Sequence, residues 1–218
     1  MRVLITAGGT REPIDEARVI ANTSTGRLGA RVADAAAAAG HEVLLLHGVQ
    51  AARPGSARVR CEVFDTGGEL ARLLERHVSQ ADAVFHAAAV SDFVPVRAPG
   101  KIASDQPELL LRLVRAPKLV DRLRALRPSA LLVGFKLAAD TDEAGLLAAA
   151  QALRVRARLD LVVANLAGRT GEDDHEALLV GEAGVLQRCR GKQAIAQALV
   201  VWLNSTPTPT GGSPATRR

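Results

Sequence analysis

Residues 2–10 read Arg-Val-Leu-Ile-Thr-Ala-Gly-Gly-Thr, an apolar run of strand length that closes on two glycines. Such a run, followed by a helix-period stretch, is the opening of a βα unit. The helix is predicted from Gly26 to Gly40, because Leu28, Val32, Ala36 and Ala39 share one stripe and glycine bounds it at both ends. Working outward, the alternation repeats. Apolar runs at 42–47, 59–64, 83–89, 130–137 and 159–164 read as strands, and stretches 66–78, 117–126 and 143–156 read as helices. Thr66-Gly-Gly-Glu69 has capping-box spacing ahead of a helix that turns Leu70, Leu73, Leu74 and Val78 inward. Pro117 suits an early helical position. The rhythm changes late: 176–180 and 185–189 flank Glu182-Ala-Gly184 as a hairpin, and 191–203 reads as a closing helix.

Repeated βα units build a parallel sheet covered by helices on both faces. The expected fold class is α/β: a Rossmann-like doubly wound parallel sheet in three layers, with an appended antiparallel hairpin. One domain is expected over 1–204. The remainder, 205–218, is rich in Ser, Thr, Pro and Gly, cannot build a core, and is expected to be a disordered tail.

Composition narrows the function. The 218 residues are 48% hydrophobic, yet carry four Phe, one Trp and no Tyr, so the core must be made of Ala, Val and Leu. The formal charge of +5 includes Arg217 and Arg218 at the extreme end. A mild basic excess suits phosphorylated small molecules. No dense basic helix and too few aromatics for base stacking argue against a nucleic-acid partner. Cys61 and Cys189 lack CxxC spacing, so neither a metal site nor a disulfide framework is expected, and each is read as a small hydrophobe within a strand. No apolar run approaches the roughly 20 residues that span a bilayer. The first strand starts at Arg2 without a charged and apolar leader, so a cytoplasmic location and no membrane partner are expected.

In doubly wound sheets ligands sit beyond the carboxyl ends of the strands, where strand order reverses. Gly8 and Gly9 allow a phosphate or ribose to approach the backbone closely. The motif is not GxGxxG, and the second strand ends Leu46-His47-Gly48 without an acidic residue, which counts against an NAD dehydrogenase. Asn22-Thr-Ser24-Thr25-Gly26 feeds a helix N-terminus, an anion site to which Ser24, Thr25 and Asn22 add donors. An ordinary N-cap is the plainer reading of the same residues. In His86-Ala-Ala88-Ala89-Val-Ser-Asp92-Phe93, the alanines leave room for a flat ring. Asp92 can accept from a base or sugar or help hold a metal, and His86 reads as a satisfied core histidine. The loop 90–107, with Pro95, Pro99 and Gly100, is long enough to be functional or disordered.

Six segments now stand in order: TAGGTREPID, IANTSTGRLG, AAAVSDF, Lys101-Ile102, VGFKL and LVVANL. Together they resemble the phosphopantothenoylcysteine synthetase family, up to about Asn204. The resemblance implies a ligase that joins 4′-phosphopantothenate to cysteine through an acyl-nucleotide made from CTP or ATP, with Mg²⁺. It implies that Asn22 contacts the intermediate and is needed for its turnover, and that Lys101, on a flexible loop, supports activation. Ala88, Ala89 and Asp92 match nucleotide-binding positions. Ala116-Pro117-Lys118-Leu119 stands where the family has a nucleotide-contacting Asn-Pro-Asp-Ile segment. Phe135 matches a residue beside the base, and Lys136 follows it at the strand's carboxyl end. No ligand cluster for a metal is visible, so Mg²⁺ follows from nucleotide chemistry alone.

Three departures accompany the resemblance. A Lys-x-Lys-Lys run of the bifunctional bacterial members is replaced by Lys101-Ile-Ala-Ser104, which leaves CTP against ATP open. Lysines on the helix before Leu159 are absent, with Arg154, Arg156 and Arg158 as candidate substitutes. Asn-Thr-Ser-Thr-Gly stands for the usual Asn-x-Ser-Ser-Gly. Met1 directly precedes the first strand, so a stand-alone synthetase domain is expected. A homodimer is a further implication, with the hairpin 176–189 as its expected contact. Two rivals remain. An NAD(P)-dependent short-chain-type reductase would need a Tyr-x-x-x-Lys pair, and the chain has no Tyr. A non-catalytic nucleotide-binding paralogue is kept open by the altered lysines. The ligase reading requires Gly8, Asn22, Asp92, Lys101 and Phe135 to share one cleft.

Overall fold

The first strand, β1 (Arg2–Ala7), buries every residue after Arg2, which requires cover on both faces of its sheet. A computed structural model describes residues 1–105, 107–139, 141–167 and 175–207 and shows that cover. After β1 come a small ribbon of β2 (Arg11–Pro13) and β3 (Val19–Ala21), then α1 (Arg27–Ala38), β4 (Glu42–Gly48), β5 (Arg60–Phe64) and α2 (Gly67–His77). The chain continues through β6 (Ala83–His86), a second ribbon of β7 (Phe93–Pro95) and β8 (Leu113–Arg115), α3 (Leu119–Leu126) and β9 (Leu131–Ala138). It closes with α4 (Glu143–Ala157), β10 (Leu161–Leu166), β11 (Glu176–Gly181), β12 (Gly184–Arg190) and α5 (Lys192–Ser205).

The main sheet has the order β12-β11-β10-β9-β6-β1-β4-β5. Its strands from β10 to β5 are parallel, and β11 and β12 pair antiparallel at one edge, as the appended hairpin. Counted alone in chain order, the parallel strands run 3-2-1-4-5-6, the doubly wound arrangement whose crevice lies between β1 and β6. The period-2 rule sorts the core into two layers. Val3, Ile5, Val43, Leu45, Phe85, Val133 and Val163 pack with α1 and α5. Leu4, Leu46, Val84, Leu132, Val162 and Ala164 pack with α2, α3 and α4. Among the described residues, no helix is long and apolar enough to cross a membrane.

Local chemistry sets the ends of elements. Thr66 Oγ1 accepts from Glu69 N (3.1 Å), while Glu69 Oε2 accepts from Asp65 N (2.8 Å), so the capping box closes one residue early. Pro117 lies before α3 rather than within it, and Lys118 is the N-cap residue. β6 ends at His86 instead of residue 89, and the chain beyond it touches the β1 extension through a Gly9–Ala89 bridge. Cys61 is exposed, correcting its reading as a packed hydrophobe, because β5 is an edge strand; Cys189 is buried. Ser205 ends α5, Thr206 Oγ1 donates to Trp202 O (2.7 Å), and 208–218 of the expected tail lie outside the described residues.

Alanine-rich α1 lies close to β1. Val32 and Ala36 are buried as predicted, while Leu28 is half-buried and Ala39 is exposed just past the helix end. A Cβ on Gly29 would stand 2.5 Å from Ala7 Cβ. Gly29→Ala would stabilise an ordinary exposed helix by about 1 kcal/mol. Here it is expected to destabilise by roughly 1–3 kcal/mol through overpacking, read from the urea midpoint. A raised midpoint would contradict the close contact.

Candidate functional site

The site grows from the crevice between β1 and β6. Thr6 Oγ1 accepts from Ala88 N (3.1 Å) and is also hydrogen-bonded to His86 Nδ1 (3.0 Å). Burial lowers the His86 pKa to about 4, so the ring is neutral near pH 7. Beyond the sheet the two chains continue side by side. Ala87 N donates to Thr6 O (3.1 Å), Ala89 N to Gly8 O (2.8 Å) and Thr10 N to Ala89 O (3.0 Å). Thr10, fully buried, accepts at Oγ1 from Ser91 N (3.1 Å).

Asn22 is fastened to this pair of chains. Its backbone N–H donates to Thr10 O (3.1 Å), and its Nδ2 donates to Ala89 O (3.0 Å) and Ser91 Oγ (3.0 Å). A carbonyl oxygen can only accept, so the Ala89 contact fixes which way the amide faces. The amide donors of Asn22, expected to serve a ligand, are therefore engaged within the protein, and its Oδ1 is left as the free acceptor among the described residues.

The glycines at this junction stand in close contact with other parts of the chain. Gly8 has φ 86° and Gly26, the N-cap of α1, has φ 70°. Cβ atoms placed there would stand 2.5 Å and 2.7 Å from Ala51 Cβ. A Cβ on Gly9 would stand 2.5 Å from Asn22 O. Ala52 N donates to Thr25 O (2.9 Å), and Asp34 on α1 accepts from Gly55 N (3.0 Å) and Ser56 N (2.9 Å). The segment after β4 is thereby laid over the corner where a dinucleotide pyrophosphate rests in other doubly wound sheets. Ala51 packs against Gly8 and Gly26 at that corner.

An open cavity of about 500 Å³ lies beside this junction, over the carboxyl ends of β6 and β9 and between α3 and α4. Ala88, Ala89, Asp92, Pro117, Lys118, Phe135 and Lys136 all line it. Asn22 reaches its wall through Ala89 and Ser91. Gly8, Gly9, Ser24, Thr25, Gly26 and Lys101 are not among its lining residues. Lys101 is exposed, and the loop expected to be flexible is hydrogen-bonded on both sides of it to the turn after β2. Lys118 Nζ donates to Asp92 Oδ1 (2.8 Å) with both side chains substantially exposed, a pair worth little in stability and open to exchange with a ligand.

Of the three candidate arginines, Arg156 lines the cavity and donates to Asp121 Oδ1 (3.1 Å). Arg154 donates to Gln151, and Arg158 sits in the left-handed region at the end of α4. Ser91, Ala149 and Ala152 are lining residues that the sequence did not single out. Spacing of 149, 152 and 156 on a helix is the available signal, but α4 carries alanine on every side. Among the described residues, no group of three His, Cys, Asp or Glu is placed to hold a metal ion.

Residues 1–206 match the DNA/pantothenate metabolism flavoprotein C-terminal domain family. The chain belongs to that family. It is 42% identical over 183 residues to the coenzyme A biosynthesis bifunctional protein CoaBC of Thermococcus kodakarensis, covering 83% of this chain and 45% of that one. The chain spans about half the length of the curated relatives it matches. The crystal structure of a DNA/pantothenate metabolism flavoprotein from Streptococcus pneumoniae superposes with a TM-score of 0.88 at 28% identity, covering 94% of this chain and 98% of that one. At 24% identity, which speaks for the fold alone, a Cab2 variant solved with phosphopantothenate-cysteine gives 0.78 over 93% of this chain and 85% of its own.

The neutral His86 makes stability depend on pH. Unfolded, the ring takes up a proton below about 6.5; folded, it does so only near 4. Between these values the unfolded chain binds the extra proton, so stability rises with pH across the window, by about 3 kcal/mol in all from this group. His86→Gln is expected to flatten that rise in urea titrations, and parallel wild-type and variant curves would contradict the assignment.

Proposed function

We propose that this chain is a phosphopantothenate–cysteine ligase, forming an acyl-nucleotide from 4′-phosphopantothenate and CTP or ATP and passing the acyl group to cysteine, in the cytoplasm. The observation that carries the reading is Asn22. Its donor side is committed to Ala89 and Ser91, two residues of the wall of a nucleotide-sized cavity, which leaves Oδ1 as the free acceptor of a side chain fastened behind that wall.

In the first step a carboxylate oxygen attacks the α-phosphorus, an O–P bond forms, and pyrophosphate leaves. Charge builds on phosphate oxygens, and fixed cations are what lower such a barrier. Lys118, Lys136 and Arg156 line the cavity, and Lys101, exposed on its loop outside the lining, is assigned as a further cation for this step. Phe135 and the small residues Ala88 and Ala89 suit a flat base. Asp92 is the carboxylate of the cavity lining, which fits the way magnesium is held, by one or two carboxylates together with substrate phosphates. When bound, that ion supplies charge neutralisation to the triphosphate.

In the second step the cysteine amine attacks the acyl carbon, a C–N bond forms, the nucleotide monophosphate leaves, and the nitrogen loses a proton. Asn22 Oδ1 is suited to accept an N–H of that amine and hold its lone pair on the acyl group. Buried Thr10 and the Ala89 carbonyl keep the amide from turning.

Incubation with 4′-phosphopantothenate, cysteine, Mg²⁺ and either CTP or ATP is expected to release pyrophosphate and form the amide. Lys101→Ala should slow pyrophosphate release by on the order of 100-fold, the scale of losing one stabilising charge. Asn22→Ala should release pyrophosphate once per site and then accumulate acyl-nucleotide. Nucleotide binding by the wild type with no pyrophosphate from either triphosphate would favour the non-catalytic paralogue.

A homodimer is part of the proposal. Phe93, Val96, Leu110, Leu113 and Val114 leave much apolar surface exposed on and beside the β7/β8 ribbon. The expected hairpin contact offers Val185 and Leu186. Contiguous exposed apolar surface marks association. Size exclusion with light scattering is expected to give the mass of two chains, reduced to one by Leu110→Asp. A wild-type mass of one chain would contradict the dimer.

A further inference from the structure

One carboxylate outside the cavity holds together the two segments that carry Asn22 and Lys101. Asp15, in the turn between β2 and β3, is buried. Its Oδ1 accepts from the backbone N–H groups of Ala17 and Arg18, both at 2.8 Å. Its Oδ2 accepts from Arg18 Nε (3.0 Å), Arg18 Nη2 (2.6 Å) and the amide of Ile102 (3.0 Å). Arg18 Nη2 also donates to the carbonyl of Ile102 (2.7 Å), so both backbone polar groups of that residue are gripped by one ion pair. Glu16 N donates to Gly100 O (3.2 Å) and Ala98 N to Ile14 O (2.9 Å). Lys101 thus lies between two tied residues, Gly100 and Ile102, and is itself exposed. On its other side, Arg18 opens directly onto β3, which delivers Asn22.

The electrostatics make this a firm tie. The Arg18 guanidinium, with the amides of Ala17, Ile102 and Arg18, holds the Asp15 carboxyl well below the usual carboxylate range. A buried carboxylate with this many donors is charged throughout the working pH range, and taking away one partner leaves the rest uncompensated.

We propose that Asp15 is a positioning residue: with Arg18 it grips Ile102 and sets Lys101 in register with the β3 strand that carries Asn22. The inference rests on the assignment of Lys101 to the activation step. It adds that the cation works from an anchored base rather than from a free loop.

A double-mutant cycle tests it. Pyrophosphate release is measured with 4′-phosphopantothenate, Mg²⁺ and the preferred triphosphate for wild type, Asp15→Asn, Lys101→Ala and the double variant. Alongside, amide exchange is followed in the peptide spanning 98–103 and in β1 and β9. Asp15→Asn is expected to lower kcat by about tenfold with little change in the nucleotide KM, and to cost nothing further on the Lys101→Ala background. Exchange should quicken in 98–103 and stay unchanged in the two strands. Arg18→Lys, which keeps the charge but loses the fork that reaches Ile102, serves if Asp15→Asn does not fold, with the same pattern expected. A double variant slowed by the product of the two single effects overturns this proposal and leaves the role of Lys101 standing. Lys101→Ala as fast as wild type overturns both.

Discussion

The pairing of β1 with β6 does not stop where the sheet ends, and the site depends on that continuation. Residues 6–10 and 87–91 run on side by side, joined through Thr6, Gly8 and Thr10 to Ala87, Ala88, Ala89 and Ser91. Two bare extensions of chain cannot satisfy all their polar groups alone. Asn22 fills the remaining places, bonding to both extensions at once. Gly9 is needed because the Asn22 carbonyl occupies the space a side chain would take. One local constraint therefore forms the wall of the cavity and fixes the residue whose orientation matters most.

A doubly wound sheet is commonly associated with dinucleotides, yet the same crevice is shaped here in another way. Ala51 packs over Gly8 and Gly26 and closes the corner at the start of α1. Space opens instead on the opposite side of the crevice, between α3 and α4, where Ala88, Ala89, Ala149 and Ala152 keep the walls thin. His86 at its border is held neutral by burial, so the cations there are Lys118, Lys136 and Arg156. Lys118 and Arg156 are each engaged with an exposed carboxylate, Asp92 and Asp121 respectively, and such pairs yield readily to a polyanion.

The central strands were legible because burial on both faces leaves unbroken apolar runs, as in 2–7 and 161–166. The capping box at Thr66 and the late hairpin were legible from turn chemistry. The two small ribbons were not, since three residues such as Arg11–Pro13 or Phe93–Pro95 are too short to show a period. For the site, the spacing of small and polar residues located the wall from Ala88 to Asp92, while Phe135 and Lys118 entered through family resemblance. What could not be read was long-range closure. Nothing local in Ala51 says that it lies on Gly8, and nothing near Asp15 announces a partner at Ile102. Nor does a donor-rich stretch such as Asn22–Gly26 reveal that its amide is already engaged by Ala89.

In the proposed ligase, nucleotide occupies the space between α3 and α4 and leaves the glycine corner closed. A crystal structure with bound CTP or ATP and magnesium tests it most directly. The expected result is a base beside Phe135, phosphates directed toward Lys118 and Lys136 with the ion at Asp92, and Ala51 still seated on Gly8 and Gly26. Phosphates resting on the start of α1, with Ala51 displaced, would contradict it.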